Sequence, residues 1–86
     1  MRVSIDISFY PLKDDYVTPI LAFIDRISDN PKLNIVRNSL STQVFGEYRD
    51  VMDTISDEIE SVFSLLPESV FVMKLIGMDR ENIVDE

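Results

Sequence analysis

The sequence contains no cysteine, no histidine and no tryptophan. Without cysteine the chain has no disulfide framework and no thiolate nucleophile, and without histidine it has no imidazole general base. A zinc site built from cysteine and histidine is excluded for the same reason. Because the commonest catalytic and metal-binding side chains are missing, we expect no catalytic residues, no metal site, no cofactor and no enzymatic activity.

Positive charge is also scarce, since 8 Lys and Arg stand against 16 Asp and Glu, a net charge of -8 at pH 7. Such a chain is repelled by phosphate backbones and anionic lipid surfaces, so we expect neither nucleic-acid nor membrane binding. No apolar run approaches the roughly 18–20 residues of a membrane span, and residues 1–6 lack the apolar core of a signal peptide. The expected location is cytoplasmic.

The length of 86 residues is sufficient for one small domain and not for two. We therefore expect a single domain over residues 1–86, with a frayed acidic tail at about 80–86.

Hydrophobic periodicity predicts the elements of this domain. Residues 3–9 alternate apolar and polar side chains as a half-buried strand does, and Pro11 ends that strand. Apolar residues then recur at helical spacing up to about residue 28, and Asp15 or Thr18 is placed to cap that helix. Residues 33–38 and 42–48 are predicted to form a β-hairpin. A second helix is predicted from about residue 51 to 66, and a last strand is predicted over residues 69–77.

The order β-α-β-β-α-β is that of the ferredoxin-like α+β fold, a four-stranded antiparallel sheet with two helices on one face. In this topology the first and third strands are central and the fourth lies beside the first. The other face of the sheet is left open. The last strand is apolar on both sides, so we expect a homodimer or homotetramer that covers it through sheet faces or edges.

Three sets of charged or polar residues could carry chemistry. Asp6 and Lys74 would be cross-strand neighbours, either as a structural ion pair or with Asp6 free to meet a cationic ligand. Residues 44–49 share features with the phosphate loop of acylphosphatases but follow the wrong strand and include Glu47, so that match is rejected. A third set of acids shares one face of the second helix, where a solvated surface is expected rather than a metal site: Asp50, Asp53, Asp57 and Glu60.

Residues 42–52, TQVFGEYRDVM, resemble the T-x-x-x-G-x-x-x-D-V-M pattern of the small thiamine-binding-like family related to YkoF. Residues 5–12, IDISFYPL, are similar to the first strand of that family, and the similarity covers most of the chain. The resemblance implies a ferredoxin-like fold and assembly into dimers or tetramers through the sheets. It also implies binding of thiamine or its hydroxymethylpyrimidine portion without chemical change.

By position, the resemblance implies that Ser8, Tyr10 and Thr42 lie in the pocket wall. It also aligns Gly46 with the glycine of the family pattern. Many relatives have glycine where this chain has Ser41, and relatives with a further C-terminal element are longer. Thiamine is a cationic aminopyrimidine that requires a carboxylate, hydroxyls and an aromatic face, although packing alone also explains the aromatic residues. The candidate ligand-binding residues are Asp6, Ser8, Tyr10, Ser41, Thr42, Phe45 and Glu47.

Three hypotheses follow. The first is a homo-oligomeric carrier, buffer or sensor that binds thiamine or a related pyrimidine. The second is a structural or regulatory assembly module that uses its open sheet face and has no physiological ligand. The third is an enzyme that depends on carboxylates alone, whose turnover would require Asp6 or Glu47.

Overall fold

A computed structural model describes residues 1–81 of the chain. Of the predicted acidic tail, residues 82–86 lie outside the described residues. The order of elements is the predicted one: β1 (Arg2–Tyr10), α1 (Val17–Ser28), β2 (Asn34–Arg37), β3 (Thr42–Glu47), α2 (Tyr48–Leu65) and β4 (Val70–Ile76).

The four strands form one antiparallel sheet in the order β2-β3-β1-β4. β1 and β3 are therefore central and β4 lies beside β1, which confirms the predicted ferredoxin-like fold. The register places Asp6 opposite both Gln43 of β3 and Lys74 of β4. These three polar residues lie on the open face, so its centre is polar as the alternation in β1 predicts.

The core lies between the sheet and the two helices. Alternate β1 residues, including Ile5 and Ile7, are buried against Phe23 and Ile27 of α1 and against one face of α2. Each fully buried side chain of this size contributes about 1.5–3 kcal/mol relative to an exposed one. The α2 residues of the core are Val51, Ile55 and Val62, which are separated by four and seven residues and so share one helical face.

Aromatic side chains fill the end of the core beneath the last residues of β1. The rings of Phe9 and Phe71 stack with centroids 4.5 Å apart, and Phe23 lies 5.6 Å from Phe9 and 5.3 Å from Phe71. Phe63 contacts Phe71 edge-on at 5.6 Å. Offset and edge-to-face packing of this kind adds about 0.5–1.5 kcal/mol per pair beyond area burial.

The helix termini follow the sequence signals with one correction. Asp15 Oδ1 accepts a hydrogen bond from the backbone N–H of Thr18 at 3.3 Å, although the N-cap position of α1 is Tyr16, whose side chain makes no capping bond. α2 begins at Tyr48 and not at about residue 51 as predicted, because β3 leads directly into the helix. Asp50 lies inside the first turn, where the helix dipole favours a negative charge.

Gly46 allows β3 to pack closely under the α1–β2 connection. A Cβ atom at this position would lie 2.9 Å from Leu33 Cδ2, 3.2 Å from Val51 Cγ2 and 3.3 Å from the carbonyl oxygen of Lys32. The absence of a side chain at Gly46 is therefore used by core side chains and by a backbone carbonyl.

After β4 the chain folds back over the open face of the sheet. Ser4 Oγ donates to the carbonyl of Met78 and accepts from the N–H of Arg80, both at 2.8 Å, and Ser4 itself is buried. The Arg2 guanidinium contacts Asp79 Oδ2 at 2.7 Å. We call residues 77–81 the C-terminal segment and the end of β1 that it covers the sealed end.

Candidate functional site

A gap in the sheet opens at the opposite end of β1, because its two neighbours pair with it over different lengths. Pairing with β3 ends at Ile7, opposite Thr42, whereas pairing with β4 continues to Tyr10, opposite Val70. The last three residues of β1 therefore have no β3 partner in the described ladder. Backbone groups on that side of the strand can accept or donate hydrogen bonds to another molecule.

The gap is the floor of a cleft of about 460 Å³, which we call the strand-end cleft. Its walls are the end of β1 with the loop after it, the first half of α1, and the corner between β2 and β3. A volume in the range of about 300–1,000 Å³ is typical of small-molecule sites. The lining residues that the following argument uses are Ser8, Tyr10, Lys13, Tyr16, Ser41 and Thr42.

The corner between β2 and β3 is a turn closed by Asn38. Its Oδ1 accepts hydrogen bonds from the N–H groups of Leu40 at 2.8 Å and Ser41 at 3.0 Å. Its own N–H donates to the carbonyl of Ser41 at 3.0 Å. This arrangement fixes the backbone of the corner and so positions the Ser41 side chain at the cleft wall.

Ser41 links the cleft to the polar centre of the open face. The pKa of Asp6 is held below its ordinary value by the Ser41 hydroxyl, and also by the Gln43 amide and the Lys74 charge, against the opposing effect of burial. Gln43 Nε2 donates to Asp6 Oδ1 at 3.3 Å and to Ser41 Oγ at 3.1 Å. A serine that donates its proton to Asp6 and accepts from Gln43 retains one lone pair for a ligand.

Aromatic and apolar side chains form the rim. Tyr10 and Tyr16 line the cleft and are 49% and 59% exposed, so each keeps a large part of its surface open to another molecule. Leu12, between them in sequence, has a φ of 57°, a conformation that costs a non-glycine residue about 1–2 kcal/mol. Strain of this size is typical of loops that position a site.

The structure brings together four of the seven predicted ligand-binding residues. Ser8, Tyr10, Ser41 and Thr42 all line the strand-end cleft. Asp6 is not in the cleft wall; it lies behind Ser41, and its Oδ2 is 3.8 Å from Lys74 Nζ, the predicted cross-strand pair.

The other two candidates lie toward the sealed end of the sheet. Phe45 is opposite Ser4 and only 7% exposed. Glu47 is opposite Arg2, and its Oε2 lies 3.1 Å from the amino group of Met1. Neither residue is among those that line the cleft.

Sequence reasoning missed Lys13 and Tyr16, which follow Pro11 in the loop before α1, and Asn38 at the β2–β3 corner. The available signals were the proline that ends β1 and an asparagine between two strands, both typical of structured turns. Their meeting at one end of the sheet depends on strand length and not on any local motif.

Within residues 1–81 there is no group of three or more acidic side chains placed to hold a metal ion, and three of the four α2 acids, Asp53, Asp57 and Glu60, are exposed as expected. In the same range, neither helix combines the length and apolar composition that crossing a bilayer requires.

Solved structures with this architecture come from several organisms. A candidate thiamine biosynthesis/salvage protein from Thermotoga maritima superposes with a TM-score of 0.79 at 19% identity, covering 91% of this chain and 85% of that chain. For a protein from Streptococcus pneumoniae the TM-score is 0.73 at 19% identity, with 96% and 93% covered. A hypothetical protein from Methanocaldococcus jannascii gives 0.75 at 17% identity, with 94% and 84% covered. At these identities the likeness shows the fold.

Among curated proteins none matches the sequence. The model of the YkoF-related family matches residues 2–75, from the start of β1 almost to the end of β4. The chain therefore belongs to the YkoF-related family.

Proposed function

We propose that this protein is a non-enzymatic, homo-oligomeric, cytoplasmic binding protein for thiamine or its hydroxymethylpyrimidine portion, acting as a carrier, buffer or sensor. The observation that carries the proposal is the strand-end cleft, which gathers hydroxyl and tyrosine side chains at the end of β1. Membership of the YkoF-related family and the likeness to the Thermotoga maritima protein support the thiamine connection.

The cleft has groups that complement an aminopyrimidine. The ring is planar and can stack on Tyr10 or Tyr16, and its amino group can donate to the free lone pair of Ser41. Its ring nitrogens are acceptors, which the hydroxyl of Ser8 or a β1 backbone N–H could satisfy. A flat heterocycle therefore finds both a stacking surface and hydrogen-bond partners.

Binding without turnover is supported by the state of Asp6. The Asp6 carboxylate is hydrogen-bonded to the hydroxyl of Ser41 in the cleft wall, and the pKa of Asp6 lies below its ordinary value. A general base is most effective when its pKa is near the working pH, so an acid with a lowered pKa is a poor proton acceptor at neutral pH.

Calorimetric titration with thiamine, hydroxymethylpyrimidine and thiamine phosphates tests the binding proposal. We expect saturable binding to at least one of them, weakened about fivefold by Ser41→Ala because one hydrogen bond is worth about 1 kcal/mol. Ser56→Ala, on the exposed surface of α2, is the matched control and should bind as the parent does. Mass spectrometry of the recovered ligand should show it unchanged.

No binding of any of these compounds at millimolar concentration would contradict the proposal. Chemical conversion of a bound ligand, abolished by Asp6→Asn or Glu47→Gln, would favour an enzyme that depends on carboxylates.

Self-association is the second part of the proposal. Three apolar residues of β4 on the open face, Val70, Val72 and Ile76, are each 39–55% exposed, and the outer edge of β4 pairs with no strand of the described residues. An apolar edge strand of this kind is a pairing surface that soluble proteins ordinarily cover. A homodimer or homotetramer would bury it.

Light scattering tests this part independently of any ligand. We expect a mass of at least twice the 9.9 kDa chain, shifted toward the monomer by Val72→Lys. Val17→Lys, at a similarly exposed valine at the start of α1, is the matched control and should leave the mass unchanged. A parent that remains monomeric at all concentrations contradicts assembly. A stable oligomer that binds no ligand would instead support an assembly module, which the apolar surface of β4 favours.

A further inference from the structure

The side chains of Asp6, Gln43 and Ser41 form one hydrogen-bonded chain that runs from the open face of the sheet to the strand-end cleft. Gln43 Nε2 lies 3.3 Å from Asp6 Oδ1 and 3.1 Å from Ser41 Oγ. Ser41 lines the cleft, whereas Asp6 and Gln43 lie behind its wall. The two residues behind the wall therefore act on a bound molecule through the Ser41 hydroxyl.

The direction of each hydrogen bond in this chain follows from the Asp6 carboxylate. An ionised carboxylate only accepts hydrogen bonds, so the Gln43 amide must turn its nitrogen, and not its oxygen, toward Asp6. The same nitrogen then donates to Ser41 Oγ. The Ser41 proton is directed at Asp6, since the Ser41 hydroxyl is the largest of the influences that hold the pKa of Asp6 below its ordinary value. Ser41 Oγ therefore has a lone pair, and no proton, left for a ligand.

The hydroxyl of Ser8, which lines the same cleft, is held less firmly. Its Oγ donates to the carbonyl of Leu40 at 3.5 Å, which is longer than the usual range for a hydroxyl donor. This hydroxyl can rotate at little cost and either donate to a ligand or accept from it. Of these two serine hydroxyls, that of Ser41 is the one with a fixed direction.

We propose that the strand-end cleft selects a heterocycle with an amino substituent over its oxo counterpart, with Asp6 and Gln43 as positioning residues that make Ser41 an acceptor. This inference rests on the proposed function and adds a rule for selecting among planar heterocycles. An amino group donates to the lone pair of Ser41. An oxo group in its place sets a second acceptor against that lone pair, and the adjacent ring nitrogen then carries a hydrogen, so the donor and acceptor positions are exchanged.

The test is calorimetric titration of the full chain with two matched pairs of compounds. Hydroxymethylpyrimidine and thiamine are each compared with the analogue that carries an oxo group in place of the amino group. The members of a pair have the same net charge, so the ratio of their affinities reports hydrogen bonding and not charge. We expect each amino compound that binds to do so about tenfold more tightly than its oxo analogue, which loses a hydrogen bond and opposes two acceptors.

Asp6→Asn tests the positioning role. An amide can donate to Ser41 Oγ where a carboxylate cannot, so the Ser41 proton becomes free to turn toward the ligand, and the ratio should fall to about threefold or less.

Two control variants should keep the parent ratio. Lys74→Gln removes the charge that lies 3.8 Å from Asp6 Oδ2 and leaves a carboxylate that only accepts hydrogen bonds. Ser8→Ala removes the cleft hydroxyl without a fixed direction, so it should weaken binding of both members of a pair by the same factor.

Equal affinity of the parent protein for an amino compound and its oxo analogue would overturn the inference while leaving the proposed function intact. A ratio that Asp6→Asn does not reduce would also overturn it, and so would a ratio that Lys74→Gln reduces as much as Asp6→Asn does. If neither amino compound binds, the inference and the proposed function both fail.

Discussion

Each end of β1 places a serine on the open face of the sheet, but the two serines differ in how fully the rest of the chain satisfies their hydrogen bonds. At the sealed end, both hydrogen-bonding roles of the Ser4 hydroxyl are occupied by the C-terminal segment at 2.8 Å, and Arg2 is held by Asp79. At the cleft end, Ser8 Oγ donates to the carbonyl of Leu40 at 3.5 Å, its one side-chain hydrogen bond within residues 1–81.

The two serines are four residues apart on one strand and one face, so local sequence does not distinguish them. The difference arises from what the rest of the chain places over each end. Polar groups at the sealed end are committed to the fold, whereas those at the cleft end remain available for another molecule. We therefore expect mutations to affect mainly stability at one end and mainly binding at the other, apart from residues of the core.

The largest effect should come from the core beneath the cleft end. Phe23→Ala removes a ring that is 2% exposed and contacts both Phe9 and Phe71, and it should cost about 3–5 kcal/mol. Phe63→Ala is the comparison, because that ring is 43% exposed and should cost about 1–2 kcal/mol. Urea unfolding measures both; equal losses would show that the cluster is not anchored at Phe23. If Phe23→Ala does not fold, Phe23→Leu provides a milder test.

A smaller loss of stability is expected near the sealed end. Gly46→Ala places a methyl group against Leu33 and a backbone carbonyl, and such overpacking costs about 1–3 kcal/mol. Gly77→Ala adds the same methyl group where nothing lies within 4 Å, so its unfolding midpoint should stay close to that of the parent. A Gly46→Ala protein as stable as the parent would mean that Leu33 moves aside freely.

The two serines test the comparison directly. Ser4→Ala leaves the Met78 carbonyl and the Arg80 N–H without their partner and should cost about 1–2 kcal/mol. Ser8→Ala removes one long hydrogen bond and should change stability by less than about 0.5 kcal/mol. Thermal unfolding compares the two variants. If Ser8→Ala destabilises as much as Ser4→Ala, the two ends do not differ as the structure indicates.

The smallest effect concerns acid. The Arg2 guanidinium and then the Glu81 N–H hold the pKa of Asp79 below its ordinary value. A lowered folded pKa stabilises the protein above the unfolded pKa, and this stabilisation is lost as the pH falls below about 3.9 toward the folded value. We expect Asp79→Asn to lose less stability than the parent between about pH 5 and pH 3, measured by urea unfolding. If the parent and Asp79→Asn lose the same amount of stability over this pH range, the Arg2–Asp79 pair does not contribute to stability.

The sequence predicts the fold well because each strand and helix has its own periodicity. Alternation in β1, helical spacing in α2 and the apolar character of β4 are local patterns, and together they select the ferredoxin-like order. The start of α2 is less predictable. Tyr48 continues a run of β-forming residues in the sequence, yet in the structure β3 ends at Glu47 and Tyr48 is already helical.

The candidate site is only partly predictable. Ser8, Tyr10, Ser41 and Thr42 flank strand ends and therefore meet at the cleft, whereas Phe45 and Glu47 lie farther along β3 toward the sealed end. Placing them requires knowing where the β1–β3 ladder stops. Lys13 and Tyr16 come from a loop whose direction depends on the positive φ of Leu12, which no pattern around a leucine indicates.

The ion pair between Asp6 and Lys74 has a consequence for how the sheet forms. β4 is apolar on both faces, so its hydrophobic pattern alone does little to decide which of its residues faces which neighbour on β1. Lys74 is the strand's one charged side chain, and only the native alignment sets it opposite Asp6. A shift by one residue would turn Lys74 toward the helices, and a shift by two would place it beside a serine. As an exposed pair it contributes little stability. Its larger role is to specify the alignment of an edge strand that could otherwise pair in several ways.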